Sequence, residues 1–144
     1  MTELSELTTD ELLANFELLG DWEERYRYII DLGRKLPPLA DEDRTEENRV
    51  HGCQATVWLK ETLAPTEPPT IEIRADSDAH IVKGLIAILI VLYSGKTPDA
   101  VLALDPRPIF ESLGLDRFLS PTRHNGLYAM VERVRTLASE PAKL

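Results

Sequence analysis

The sequence predicts an α+β fold: a single domain over residues 1–144, with a small antiparallel sheet of about three strands packed against several helices. Three observations predict it. Helical patterns come first, strand patterns follow, and helical patterns return. Residues 56–63 and 71–75 alternate apolar with polar, which is strand periodicity. The run from Ile81 to Tyr93 is apolar nearly all round, with Lys83 and Gly84 as exceptions, as suits a helix buried on most sides.

Thr8 and Glu11 have capping-box spacing, so a helix begins at Thr9. Leu12, Leu13, Phe16 and Leu19 mark its apolar face, and Gly20 stops it. Asp21 with Glu24 starts a second helix, lined on one side by Trp22, Tyr26, Ile29, Ile30 and Gly33. Pro37-Pro38 ends it. Asp41 to Asn48 is polar and acidic and reads as a loop. From Thr56 to Leu63, the side chains of Val57, Leu59 and Leu63 face one way, and those of Thr56, Trp58 and Lys60 the other. Pro65 to Pro69 is a turn. Ile71, Ile73 and Ala75 alternate with Glu72 and Arg74, so the two runs form an antiparallel hairpin. Arg49 to His51 adds a short third strand.

Asp76-Ser77-Asp78 offers cap residues for the central helix, and Gly95 ends it. Thr97-Pro98 and Asp105-Pro106 pair a cap residue with a proline suited to the first helical position, opening short helices around 98–103 and 106–113. Ser120-Pro121 opens the last helix. Its stripe is Leu127, Met130, Val131, Val134, Leu137 and Ala138. No repeat, low-complexity tract or long linker divides the chain.

Composition narrows the function. A net charge of −9, with 14 acidic against 6 basic side chains in the first 50 residues, argues against nucleic acid. That acidic surface is either simply solvated or a docking face for a basic protein. The acidic start, Met1 to Glu6, lacks the basic and apolar regions of a signal peptide. The apolar run ending at Tyr93 is too short for the roughly 20 residues a bilayer span needs. The expectation is a soluble cytoplasmic protein. One cysteine forms no internal disulfide, and His51, His80 and His124 beside it make a poor metal set.

Cys53 sits in His51-Gly52-Cys53-Gln54, just before a strand. A thiolate attacks the sulfur of disulfides and persulfides readily, and Gly52 removes a side chain from its approach. A free cysteine is also a common small core residue, and the residue pattern alone leaves both readings open. His51, two residues away on extended backbone, and His124, from the last helix, are candidate partners for Cys53 in a stand-alone thiol enzyme, a peroxidase or a hydrolase, though no oxyanion-hole motif is visible. Arg123, in the first turn of the last helix, is either a surface residue or a guanidinium that favours a nearby thiolate. Trp22 and Trp58 read as packing residues. No phosphate loop and no lysine in a cofactor-binding context appear, so no cofactor of its own is expected.

Three blocks then identify a resemblance. They are Asn48 to Trp58; Asp76-Ser77-Asp78-Ala79-His80-Ile81-Val82-Lys83-Gly84 with its continuation to Lys96-Thr97-Pro98; and Leu119-Ser120-Pro121-Thr122-Arg123-His124-Asn125-Gly126-Leu127. Together with Trp22 to Tyr26 and Asp41 to Arg44, they make the chain resemble the SufE/CsdE family of sulfur acceptors in iron–sulfur cluster assembly, over about residues 10–138. The resemblance implies a SufE/NifU-like fold. It implies that Cys53 takes persulfide sulfur from a PLP-dependent cysteine desulfurase of the SufS or CsdA type, stimulates that enzyme, and passes sulfur to an iron–sulfur scaffold. On this reading the chain has no independent catalysis, no metal and no membrane or nucleic-acid partner, and is a monomer or weak homodimer. Asp78 matches a position linked to desulfurase interaction and Arg123 one linked to function near the cysteine loop. Gly52, Gln54 and His51 flank the thiol, and position 51 is not histidine throughout the family. A persulfide must survive until delivery, so Cys53 is expected to turn into an apolar pocket with a raised pKa, its loop swinging out when the desulfurase binds.

Overall fold

The computed structural model describes residues 4–144, so Met1 to Glu3 of the acidic start lie outside it. Helix α1 (Thr9–Glu17) opens on the expected capping box: the Thr8 hydroxyl accepts from the Glu11 N–H, and the Glu11 carboxylate accepts from the Thr8 N–H. It ends three residues before Gly20. Gly20 belongs to the junction instead, donating its N–H to the Glu24 carboxylate. Helix α2 (Trp22–Gly33) is capped by Asp21 on the Glu24 N–H and stops well ahead of Pro37.

The sheet differs from expectation. It has two strands, β1 (Val57–Ala64) and β2 (Thr70–Ser77), antiparallel, in a register running from Val57 opposite Ser77 to Ala64 opposite Thr70. The third strand reduces to one bridge, Arg49 to Trp58, with Val50 N–H donating to the Val57 carbonyl and Leu59 N–H to the Asn48 carbonyl. Turns on either side cut it short. Asn48 closes a turn onto Thr45, and Gly52 turns the chain away at φ +94°.

Helix α3 (His80–Tyr93) is the centre of the core, with Ile81, Val82 and every residue from Gly84 to Tyr93 buried. It packs against α2 on one side and β2 on another. Its cap is not Asp76-Ser77-Asp78. Strand β2 runs through Ser77, and Ala79 takes the cap position without a side-chain bond. Ser77 is occupied elsewhere: its hydroxyl donates to the Thr56 carbonyl and accepts from the Ala79 N–H. The α2–α3 crossing relies on two glycines. A Cβ on Gly33 would lie 2.7 Å from the Gly84 nitrogen, and one on Gly84 would overlap the Ile29 carbonyl.

The prolines place the remaining helices. These are α4 (Pro98–Ala103), capped by Thr97; α5 (Arg107–Leu113), with Asp105 accepting from the Arg107 N–H; and α7 (Pro121–Ala138), capped by Ser120 on the Arg123 N–H. Helix α5 starts at Arg107, one residue past Pro106. Between α5 and α7 lies a short helix that the sequence pattern does not announce, α6 (Leu115–Phe118), entered through Gly114 at φ +81°. The α7 stripe is buried as expected, except that Leu137 is half-buried. The tryptophans pack: Trp22 stacks on Phe118 at 4.8 Å, and Trp58 lies beneath the Arg44 guanidinium. Among the described residues, no helix is long and apolar enough to cross a membrane.

The inward face of β1 carries one residue that the alternation of Val57, Leu59 and Leu63 conceals. Glu61 is 5% exposed, and neither carboxylate oxygen has a hydrogen-bond partner among the described residues. Burial pushes its pKa from 4.5 up to about 8, against the pull of the Arg133 charge. The folded state therefore holds this proton where the unfolded chain releases it. The stabilisation is fully present below about pH 4.5 and is lost as pH rises through about 8. Its size is on the order of 5 kcal/mol. Urea titrations from pH 5 to 9 are expected to show this fall, and Glu61→Gln, which cannot ionise, is expected to flatten it. Parallel curves for the two proteins would remove Glu61 as the cause.

Candidate functional site

The bridge at Arg49 and the turn at Gly52 deliver Cys53 to the flank of α7. The seat is shaped by small residues. A Cβ on Gly52 would come within 3.1 Å of the Ala129 side chain, so a larger residue there meets both a crowded helix and an unfavourable φ. The Cys53 thiol lies 3.5 Å from the Gly126 carbonyl oxygen, as a weak hydrogen bond. A Cβ on Gly126 would touch the sulfur at the same distance.

Cys53 is half-buried, and burial raises its thiol pKa. That matches the expected direction, although the sulfur faces a cleft of about 400 Å3 rather than a sealed pocket. Gln54, Ala55, Asp78, Ala79, Thr122 and Arg123 line this cleft, and Val82, Leu85, Leu127 and Met130 give it apolar walls. A protonated thiol is a poor nucleophile. Burial therefore favours the protonated thiol, and a nearby positive charge or greater solvent access would raise the thiolate fraction.

The structure brings Cys53, Gln54, Asp78 and Arg123 to one cleft. Asp78 is also an anchor: its Oδ1 accepts from the Thr56 N–H at 3.1 Å, tying the end of β2 to the segment that follows the cysteine. The Arg123 guanidinium has no partner among the described residues, although its backbone N–H is held by Ser120. Gly52 acts through the backbone and does not line the cleft.

Neither histidine joins this group. His51 is 74% exposed in its side chain and pairs with Glu46 at 3.2 Å. His124 sits 3.2 Å from Asp116 and packs on Tyr128. The Cys–His pairing considered from the sequence therefore has no geometric support in this arrangement. On extended backbone His51 would share a face with Cys53, but the left-handed turn at Gly52 separates them.

Sequence reasoning gave no place at the site to Gly126 and Ala129, which form the seat, and marked Val82, Leu85 and Met130 only as core residues, although they form the walls. One signal was available for Gly126. A glycine inside a helix costs roughly 1 kcal/mol against alanine, so its presence there asks for a close approach.

Comparison with known proteins shows the family and the fold. The SufE family, described as an Fe-S metabolism associated domain, matches residues 10–138. An uncharacterized SufE-like protein of Rhizobium etli is 50% identical over 127 residues, covering 88% of this chain and 86% of its own. The solution structure of a hypothetical protein from Thermus thermophilus is similar with a TM-score of 0.75, covering 94% of this chain and 96% of its own. At 22% identity that likeness shows the fold alone.

Proposed function

We propose, because this chain belongs to the SufE family of domains associated with Fe–S metabolism, that Cys53 is a sulfur acceptor serving a PLP-dependent cysteine desulfurase. One observation carries the reading: the only thiol of the chain stands in the wall of a cleft also lined by a carboxylate and by an arginine whose guanidinium has no partner among the described residues. In this reading the desulfurase presents a persulfide on its own cysteine. The Cys53 thiolate attacks the outer sulfur, a new S–S bond forms on Cys53, and the old one breaks to leave the donor thiolate. No oxidant is consumed, and the PLP stays with the partner. An iron–sulfur scaffold then removes the outer sulfur in the same manner.

Asp78, Arg123 and Gln54 line the same cleft as the thiol, and in this reading a docking desulfurase of the SufS or CsdA type would meet them at the cysteine loop. The whole chain, residues 1–144, would act as one SufE-like unit in the cytoplasm, as a monomer or weak homodimer. Docking would shift the loop that the Gly126 carbonyl and the Asp78–Thr56 bond hold at rest. A stand-alone thiol enzyme fits less well, since no histidine lines the cleft.

Incubation with such a desulfurase and cysteine is expected to add the mass of one sulfur to the Cys53 peptide. Alkylation of Cys53 is expected to quicken when the desulfurase binds. With cysteine supplied in limiting amount and fully consumed, so that no free thiol remains to strip the sulfur, an unmodified Cys53 would sink the acceptor reading, and equal alkylation rates would sink the loop movement.

A further inference from the structure

The Cys53 cleft is larger than one transferred sulfur atom needs. At about 400 Å3 it falls in the size range of small-molecule sites, roughly 300–1,000 Å3. Its lining carries two formal charges of opposite sign, Arg123 and Asp78. Arg123 has no partner for its guanidinium among the described residues. Asp78 spends Oδ1 on the Thr56 N–H, and its other oxygen takes no hydrogen bond among them. Gly126 leaves room beside the sulfur, and the small residues Ala55 and Ala79 also line the cleft, so a ligand can enter it. Val82 and Leu85 give the cleft an apolar wall, while Asp78 and Arg123 are exposed and open to a ligand from solvent.

We propose that this cleft binds a free α-amino-acid thiol, with its carboxylate on Arg123 and its ammonium on Asp78, and that this thiol takes the outer sulfur from persulfidated Cys53. The inference rests on the carrier reading of Cys53 and names a second, small-molecule outlet for its sulfur. A planar guanidinium suits a carboxylate in two-point contact, and the Asp78 oxygen left free is an acceptor for an ammonium. The ligand thiolate attacks the outer sulfur of Cys53–S–SH. An S–S bond to the ligand forms while the Cys53 S–S bond breaks. The outer sulfur leaves with its proton as an amino-acid persulfide, and Cys53 is left as the thiolate. One S–S bond replaces another, so no oxidant or reductant enters.

The test loads Cys53 with inorganic polysulfide, which bypasses any protein donor, and confirms the persulfide by mass. The loaded protein then meets L-cysteine, cysteamine, 3-mercaptopropionate and glutathione at matched thiolate concentrations. L-Cysteine is expected to strip the sulfur about tenfold faster than cysteamine, which lacks the carboxylate, or 3-mercaptopropionate, which lacks the ammonium. That factor corresponds to about 1.4 kcal/mol of binding. Glutathione, whose thiol stands far from its amino-acid head group, is expected to be slow. Arg123→Gln should remove the lead over cysteamine. Asp78→Asn, which keeps an oxygen for the Thr56 N–H, should remove the lead over 3-mercaptopropionate. Equal rates for all four thiols, or variants that keep the wild-type selectivity, would overturn the inference. Failure to accept sulfur from a desulfurase while polysulfide-loaded protein keeps this selectivity would count against the proposed donor alone. No persulfide by either route would overturn both.

Discussion

Cys53→Ser is expected to abolish sulfur uptake outright. Serine keeps the shape of the turn and can still donate a hydrogen bond to the Gly126 carbonyl, so the fold should be intact. What it loses is the nucleophile. A hydroxyl in this site carries no appreciable anion near neutral pH, and it forms no stable analogue of the S–S bond that carries the cargo. With a desulfurase and cysteine present, the variant should show no added sulfur mass. Any stimulation of desulfurase turnover by this chain should fall to the level of the desulfurase alone. Because Cys53 is the sole cysteine, no other thiol can substitute. Full stimulation by Cys53→Ser would instead favour an interaction module, in which the acidic N-terminal half does the binding and the thiol is incidental.

Gly84→Ala is expected to be the most damaging single methyl group in the core. The α2–α3 crossing is so close that a Cβ at this position overlaps the Ile29 carbonyl, a backbone atom that no rotamer change can move aside. Gly33 faces it with little more room, its own Cβ position lying 2.7 Å from the Gly84 nitrogen. The two helices must therefore separate, which opens gaps around Ile29 and Leu85, both fully packed now. The cost is about 3 kcal/mol or more, the upper end for overpacking. That should lower the melting temperature by about 10 °C. Thermal melts of Gly84→Ala beside the exposed Gly20→Ala provide the check, since a Cβ at Gly20 meets only the end of the Glu24 side chain. Equal melting temperatures would mean that the crossing is looser than the geometry shows.

The two predictions draw on different kinds of legibility. Cys53 stood out in the chain because it is unique and follows a glycine before a strand. Gly84 appeared only as an irregularity in an apolar run, and nothing local says what lies against it. The same contrast holds elsewhere. Thr8, Asp21, Thr97 and Ser120 cap their helices as their spacing announces, because a cap is a contact between residues three apart. Asp78 resembles a cap in sequence but is drawn to Thr56, 22 residues away.

The sequence by itself determined the α+β order, the hairpin, the buried central helix, the capped starts of α1, α2, α4 and α7, and the candidate thiol. All of these follow from periodicity and short-range chemistry, which a chain carries in its own neighbourhood. Only the tertiary structure decided that the third strand shrinks to a bridge, that Glu61 points into the core, and that both histidines turn to Glu46 and Asp116 instead of the thiol. It alone placed Cys53 on Gly126, 73 residues further along the chain. Periodicity tells which side of an element is buried. It is silent on what stands opposite, and the character of this site, a half-buried thiol in a charged cleft, is set by what stands opposite.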